Sequence, residues 1–278
     1  MQTLESLRRQ IDTATDLQSI VATMKTLAAV SIRQYERAAD ALRDYERTVE
    51  LGFQILLRDS DRGLIQDKTG GPVGLIVLGS DQGMCGRFNE QIAEYTVTHT
   101  RADSASPPAS VLVVGARVAA SLADTDWQID HTYRVPTSVS EITDLVEDLL
   151  PMVEQQRSER DRGAFCVYGN RRSSVATFKP HVRHLLPIDR RRVQHWRETK
   201  WDSSSLPRFA GDARELTSSL IRQHLFATLY RALAESLASE NASRLAAMHS
   251  AEKSIDERLE DLRHGLNHQR QTAITEEL

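Results

Sequence analysis

Only two cysteines, Cys85 and Cys166, occur in 278 residues, and they show neither metal-ligand spacing nor a disulfide framework. Long apolar runs are missing as well. The best of them, Val73 to Leu78, is broken by Gly74 and falls far short of the roughly 18–20 residues of a membrane span. The first thirty residues are charged and amphipathic, so no secretion signal is expected, and the two free thiols suit the reducing cytoplasm. A net charge of −4 gives no electrostatic case for nucleic acid. Aromatics make up 5% and charged residues 27%, a balance that suits exposed helices better than one thick core. No set of residues with catalytic, cofactor-binding or metal-binding spacing stands out.

What is present is periodicity. From about Asp212 to Leu278 no proline interrupts a helical pattern of nearly seventy residues, which would reach roughly 100 Å. Leu216, Leu220, Leu229, Leu233, Leu237, Leu245, Met248, Ile255, Leu259, Leu262, Leu266 and Ala273 recur at three, four and seven, tracing a coiled-coil seam. Arg244, Lys253, Glu257, Arg258, Glu260, Asp261 and Arg263 are assigned to the opposite, solvated face. A second such pattern fills residues 1–57, with Leu4, Leu7, Ile11, Leu17, Val21, Met24, Ala28 and Ile32 on one face and Thr3 as its cap. Each terminal helix is too long for a small globule. The simplest partner for each is the other, in an antiparallel pair of 1–57 with 211–278. If both start level at the insert, the C-terminal helix overhangs by about thirteen residues, including Arg270, Gln271 and Ile274, and that tip needs a protein around it.

Between the arms, after a polar connector from Arg58 to Gly71, residues 72–207 alternate strands and helices. Gly74–Leu78, Val111–Val114 and Ala164–Tyr168 read as buried strands. Trp127–Val135 reads as an alternating strand, and Val175–Leu186 as a strand pair at a sheet edge, given Pro180. Phe88–His99, Ala116–Ala123 and Ser138–Gln156 read as helices, the last with a capping box of Ser138 and Glu141. The fold class is α/β plus long helices: an antiparallel two-helix coiled coil with an inserted Rossmann-like domain of mostly parallel sheet.

The one loop that resembles a ligand site is Gly79-Ser-Asp-Gln-Gly-Met-Cys-Gly-Arg-Phe-Asn89, between a strand and a helix. It lacks the Lys-Ser/Thr of a phosphate-binding loop and the spacing of the dinucleotide fingerprint, so a tight turn is the favoured reading. Cys85 is read as a packed thiol rather than a nucleophile. Arg190-Arg-Arg192 with Trp196 and Lys200 is read as a solvated edge or loop rather than an anion reader.

Three stretches together resemble one family. Arg8-Arg-Gln-Ile11 through Thr23-Met-Lys-Thr-Leu-Ala-Ala29, Ser80 to Asn89, and Glu235–Glu240 with Arg244–Met248 and Arg270-Gln-Thr-Ala-Ile-Thr-Glu-Glu-Leu278 are similar to segments of the gamma subunit of the bacterial F-type ATP synthase, its central stalk. The resemblance implies a non-catalytic shaft without cofactor or metal, turning inside three alpha and three beta subunits. Its foot would join the epsilon subunit and the membrane c-ring, peripheral to the cytoplasmic face of the bacterial membrane. It would couple ion flow to ATP synthesis or hydrolysis. Met24 and Lys25 match positions facing the mobile tips of beta, and Arg270 and Gln271 match a pair that holds a beta loop. Arg87 in place of glycine, Ala22-Thr23 and Thr26 depart from the pattern and resemble the divergent second, sodium-type ATPase of some bacteria. Members continue past the final match with an apolar tip, so a short top bearing is expected. The alternatives are a coiled-coil scaffold that self-associates along Leu245–Leu266, and an α/β enzyme using the Gly79–Asn89 loop.

Overall fold

A computed structural model describes residues 3–59, 73–103, 107–159, 164–172, 178–201, 203–205, 207–209 and 211–276. Two helices dominate it. Helix α1, Leu4–Asp59, is 56 residues long, about 84 Å at the helical rise. Thr3 Oγ1 accepts the Ser6 N–H at 3.2 Å, and Glu5 occupies the first turn, so the expected cap is made. The C-terminal helix, α6, Ala213–Glu276, has 64 residues and lies antiparallel to α1.

Inward positions of the seam are buried at Leu7, Val21, Ala28, Ile32, Tyr35 and Val49 on α1, and at Leu229, Leu233, Leu237, Met248, Leu259 and Leu262 on α6. Each fully buried large side chain contributes about 1.5–3 kcal/mol, which offsets the ordering of two long chains. Small residues bring the helices close. At Gly52 an added Cβ would lie 2.7 Å from Leu220 Cδ2. Cross-shaft polar pairs fix the register: Gln18 with Asp256 at 2.5 Å, Lys25 with Glu252, and Glu46 with Arg231 at 2.7 Å.

That register corrects the expected thirteen-residue overhang. Extrapolated from Lys25–Glu252 and Gln18–Asp256, it brings Leu4 level with about residue 270–273, so α6 passes α1 at the tip by only a few residues. The rest of the surplus, about five residues by the Glu46–Arg231 register, lies at the other end. There Ala213 and Leu216 begin α6 beneath the end of α1, packed on a cluster of Val49, Phe53, Leu56 and Trp196. The helices do not start level because the foot has to cover that cluster.

The inserted unit is a five-stranded sheet. Its elements are β1 Gly74–Leu78, α2 Phe88–Asp103, β2 Ser110–Val114, α3 Ala116–Leu122, β3 His131–Tyr133, α4 Val139–Glu159, β4 Phe165–Arg172 and β5 Phe178–Leu186. The strand order is β3-β2-β1-β4-β5, with every pair parallel except β4–β5. This is the doubly wound pattern anticipated from the alternation of apolar runs and helical periods. One sheet face, with Leu75, Val77, Val111 and Val113, packs on Ile92 of α2 and Val118 of α3. The other, with Ile76, Leu78, Leu112 and Val114, packs on Ile142, Val146 and Leu149 of α4 and directly on α6 at Leu229, Leu233 and Leu237. The shaft is therefore part of the foot's own core.

Three local expectations change. Trp127–Val135 contributes only three residues of strand. Before them, Asp130 donates its N–H to the Val111 carbonyl at 2.9 Å while its carboxylate accepts Ser110 Oγ and the Val111 N–H, and Trp127 turns into the core. The expected strand pair over Val175–Leu186 is one strand, Phe178–Leu186, paired with β4 at the sheet edge as Pro180 suggested; residues 175–177 lie outside the described set. Arg190–Glu198 is a helix, α5, where a solvated loop was expected. Asp189 caps it by accepting the Arg191 N–H at 2.9 Å, and Trp196 anchors it by stacking on Phe53 with centroids 4.4 Å apart. The capping box of α4 forms in extended fashion: Glu141 N–H reaches Ser138 Oγ at 3.3 Å, and the Glu141 carboxylate accepts the Thr137 N–H at 2.8 Å.

Candidate functional site: the shaft surface and the filled crevice

In an open parallel sheet the ligand crevice lies beyond the strand C-termini where the strand order reverses. Here that point is between β1 and β4, and the Gly79–Asn89 turn begins there. The turn is built by its own side chains. Asn89 Oδ1 accepts the Ser80 N–H at 2.9 Å, and Asn89 Nδ2 donates to Ser80 Oγ at 2.8 Å. Met84 and Gly86 take φ of 59° and 58°, the left-handed region that a turn this tight requires. Asp81 accepts the Ala116 and Val135 N–H groups, both at 2.8 Å, and so ties the turn to the ends of β2 and β3.

The crevice itself is occupied by the shaft. Ser243 Oγ of α6 donates to the Cys85 carbonyl at 2.5 Å, and Ser239 Oγ donates to the Asn170 carbonyl at the end of β4 at 3.2 Å. A helix thus fills the place a nucleotide would take. Cys85 is 1% exposed, and burial pushes its thiol pKa up, the wrong direction for a nucleophile. The same surroundings correct the reading of Arg244. It was assigned to the solvated face, yet it is buried beside the turn and donates to the buried Glu240 carboxylate at 2.6 Å. Sequence spacing misses this because the pair lies beside the turn of the inserted unit as well as near Tyr35 of α1, a second neighbour that a two-helix seam does not require.

The other surface of interest is the upper shaft. Leu17, Ile20, Leu27 and Val30 are 48–63% exposed, and Met24 is half-buried among them. The spacing of 17, 20, 24, 27 and 30 gathers them on one side of α1. Isolated exposed leucines need no explanation, but an aligned strip on a charged rod marks a contact surface. On α6 at the same height Lys253, Asp256, Glu257, Arg258, Glu260 and Asp261 are exposed. The rod therefore has an apolar side and a charged side.

Of the four residues singled out from the sequence, Met24 belongs to the apolar strip. Lys25, adjacent, has a partner within the chain: its ammonium binds the Glu252 carboxylate across the shaft and holds that carboxyl below its usual range. Arg270 and Gln271 are exposed near the tip, beyond Leu262, the last buried position of α6 among the described residues. The structure does not bring the two pairs together, since roughly eighteen residues of helix, about 27 Å, separate Glu252 from Arg270. Sequence reasoning missed Leu17, Ile20, Leu27 and Val30 as outward residues. Subtracting the seam positions from the apolar residues of α1 would have found Ile20, Leu27 and Val30; Leu17, expected on the seam, is instead an outward residue at 48% exposure.

Among the described residues no helix is long and apolar enough to cross a membrane, and no cluster of His, Cys, Asp or Glu could hold a metal ion. Fold and surface together define a class: a long two-helix lever rooted in an α/β base whose crevice the lever itself plugs. The family model described as ATP synthase matches residues 3–278. The ATP synthase gamma chain of Nostoc sp. (strain PCC 7120 / SAG 25.82 / UTEX 2576) is 28% identical, over 100% of this chain and 96% of its own length. The rotor of the Euglena gracilis mitochondrial ATP synthase shares the fold with a TM-score of 0.63 at 15% identity, covering 98% of each chain. A central stalk/c-ring chain of the Tetrahymena thermophila mitochondrial ATP synthase aligns with a TM-score of 0.55 at 15% identity, over 84% of this chain and 99% of that one. The chain belongs to the ATP synthase gamma family, and is a subunit of that complex rather than a self-contained machine.

Proposed function

We propose that this chain is the central rotor shaft of a bacterial F-type ATP synthase, coupling ion flow through a membrane c-ring to ATP synthesis or hydrolysis in a ring of three alpha and three beta subunits. The observation that carries the proposal is the two-sided shaft. Leu17, Ile20, Leu27 and Val30 present an apolar strip on α1, while α6 presents charge at the same height. Three identical neighbours around such a rod cannot all meet the same surface. A subunit conformation that exposes apolar side chains is favoured beside the strip and disfavoured beside the charged side, so turning the rod moves the preferred conformation from one neighbour to the next.

In this reading the chain makes and breaks no bonds itself. The support is that its α/β crevice is spanned by Ser239 and Ser243, so the enzyme alternative built on the Gly79–Asn89 loop has no vacancy to use. Met24 and Lys25 would face the mobile tips of beta, with Lys25 exchanging Glu252 for a beta acceptor as the rod turns. Arg270 and Gln271 would hold a beta loop from the tip; a guanidinium offers several donors in fixed geometry to acidic groups. The foot would bind the epsilon subunit and the c-ring, peripheral to the cytoplasmic face of the membrane.

Co-expression with alpha and beta subunits tests the assembly. One copy of this chain per six-subunit ring is expected. A stable homodimer through Leu245–Leu266 with no affinity for alpha and beta would favour the scaffold reading instead.

A further inference from the structure

The end of α1 furthest from the tip lines a cleft of about 470 Å³, closed on its other sides by the end of α5 and by the segment that leads toward α6. Among the described residues its wall carries Arg58, Arg197, Lys200 and Arg208 against a single carboxylate, Glu198, which already accepts from Gln194 Nε2 at 2.7 Å. The largely buried arginines Arg172, Arg183, Arg231 and Arg244 are matched to Glu36, Glu235, Glu46 and Glu240. In the cleft, none of the four cations makes an ion pair or hydrogen bond among the described residues. In a chain of net charge −4, four cations gathered around one concavity with no partner among the described residues concentrate positive charge at one place.

Two tryptophans complete the wall. Trp201 is pinned by its indole N–H donating to the Ser205 carbonyl at 3.2 Å. Trp196 is 1% exposed and clamped against Phe53, and its indole N–H has no acceptor. That N–H is itself shut off from solvent, so Trp196 serves the cleft as a rigid wall and not as a donor. Guanidinium forks and an ammonium are the usual complement of a phosphate group.

We propose that this cleft at the base of the shaft binds a phosphate-bearing anion. The anion is either the headgroup of an acidic lipid or a soluble phosphate, and both offer the same tetrahedral set of charged oxygens. Four cations around one phosphate are more than neutralisation needs, so the site favours a dianion or a surface of several headgroups. The proposal does not depend on the rotor reading, because it concerns the isolated full-length chain.

The test uses the full chain and an Arg197→Ala/Lys200→Ala variant; both side chains are exposed, and circular dichroism checks that the variant folds. Calorimetric titration with inorganic pyrophosphate reads the soluble source. Co-flotation with vesicles of phosphatidylglycerol and phosphatidylcholine, against vesicles of phosphatidylcholine alone, reads the lipid source. Binding in either assay that weakens by about tenfold or more in the variant, and falls with added salt, upholds the site and identifies its source. A control, Arg101→Ala/Arg117→Ala, removes the same charge from the far side of the foot and should bind as the native chain does. No binding in either assay, equal binding by the cleft variant, or an equal loss in the control overturns the proposal. Co-assembly of the cleft variant with alpha and beta is scored separately, so failure here leaves the shaft reading standing.

Discussion

Ser243, halfway up α6, donates its hydroxyl to the backbone carbonyl of Cys85 in the turn after β1, at 2.5 Å. This bond, with Ser239 to Asn170, fastens the lever to its base across the sheet's crevice. Ser243→Ala should cost about 1 kcal/mol, the usual net worth of a buried neutral hydrogen bond plus an under-satisfied carbonyl. Hydrogen exchange should show faster opening of residues 80–89 with little change in the upper shaft. Equal protection in both regions would mean that the bond does not fasten the turn.

Glu240 and Arg244 form a buried pair one helical turn apart beneath the same turn. Burial pushes the Glu240 carboxyl up, and Arg244 opposes that shift. Removing one partner strands a buried charge, so Arg244→Ala or Glu240→Ala should each cost about 3–5 kcal/mol, whereas Glu240→Leu with Arg244→Met should cost less than either. Denaturant midpoints for the three variants check this. Additive losses in the double variant would show that the charges act independently.

His224 is wedged edge-on against Phe53 and Trp196, with Arg192 nearby. Burial, reinforced by Arg192, lowers its pKa from 6.5 to about 4. The unfolded chain therefore takes up the proton first as pH falls. Stability contributed by the neutral imidazole is complete above about pH 6.5 and is lost progressively toward pH 4, on the order of 3 kcal/mol in all. Thermal melts of the native chain should fall across that window, and those of His224→Leu should fall less steeply.

At the tip, Arg270→Ala with Gln271→Ala should lower ATP turnover or torque of the assembled ring while leaving the foot intact. Both side chains are exposed in the isolated shaft, so their loss should not move its melting temperature by more than about one degree. Unchanged turnover would remove the pair from the contact set.

The two arms and the sheet were legible because burial there is one-sided and periodic: Leu229, Leu233 and Leu237 repeat, and Gly74–Leu78 is a continuous apolar run. Residues that serve two neighbours were not. Arg244 reads as surface from its charge and spacing, and only the docked turn makes it interior. Arg190-Arg-Arg192 masks a helix whose evidence is a single residue, Trp196, and whose anchor, Phe53, lies far away in sequence. The outward strip of Leu17, Ile20, Leu27 and Val30 was hidden because apolar residues on both sides of a helix blur the seam, and a sequence does not say which side the partner helix takes.

Rotation of the foot tests the central claim most directly. Both native cysteines are buried, so Thr98→Cys on the exposed side of α2 offers a selective attachment point for a bead on the assembled alpha–beta ring. With ATP supplied and the ring fixed to a surface, the bead should turn in one direction, pausing about every third of a turn as the two-sided shaft passes three equivalent neighbours. A bead that stays fixed, or only fluctuates, while the same complexes hydrolyse ATP would contradict the account.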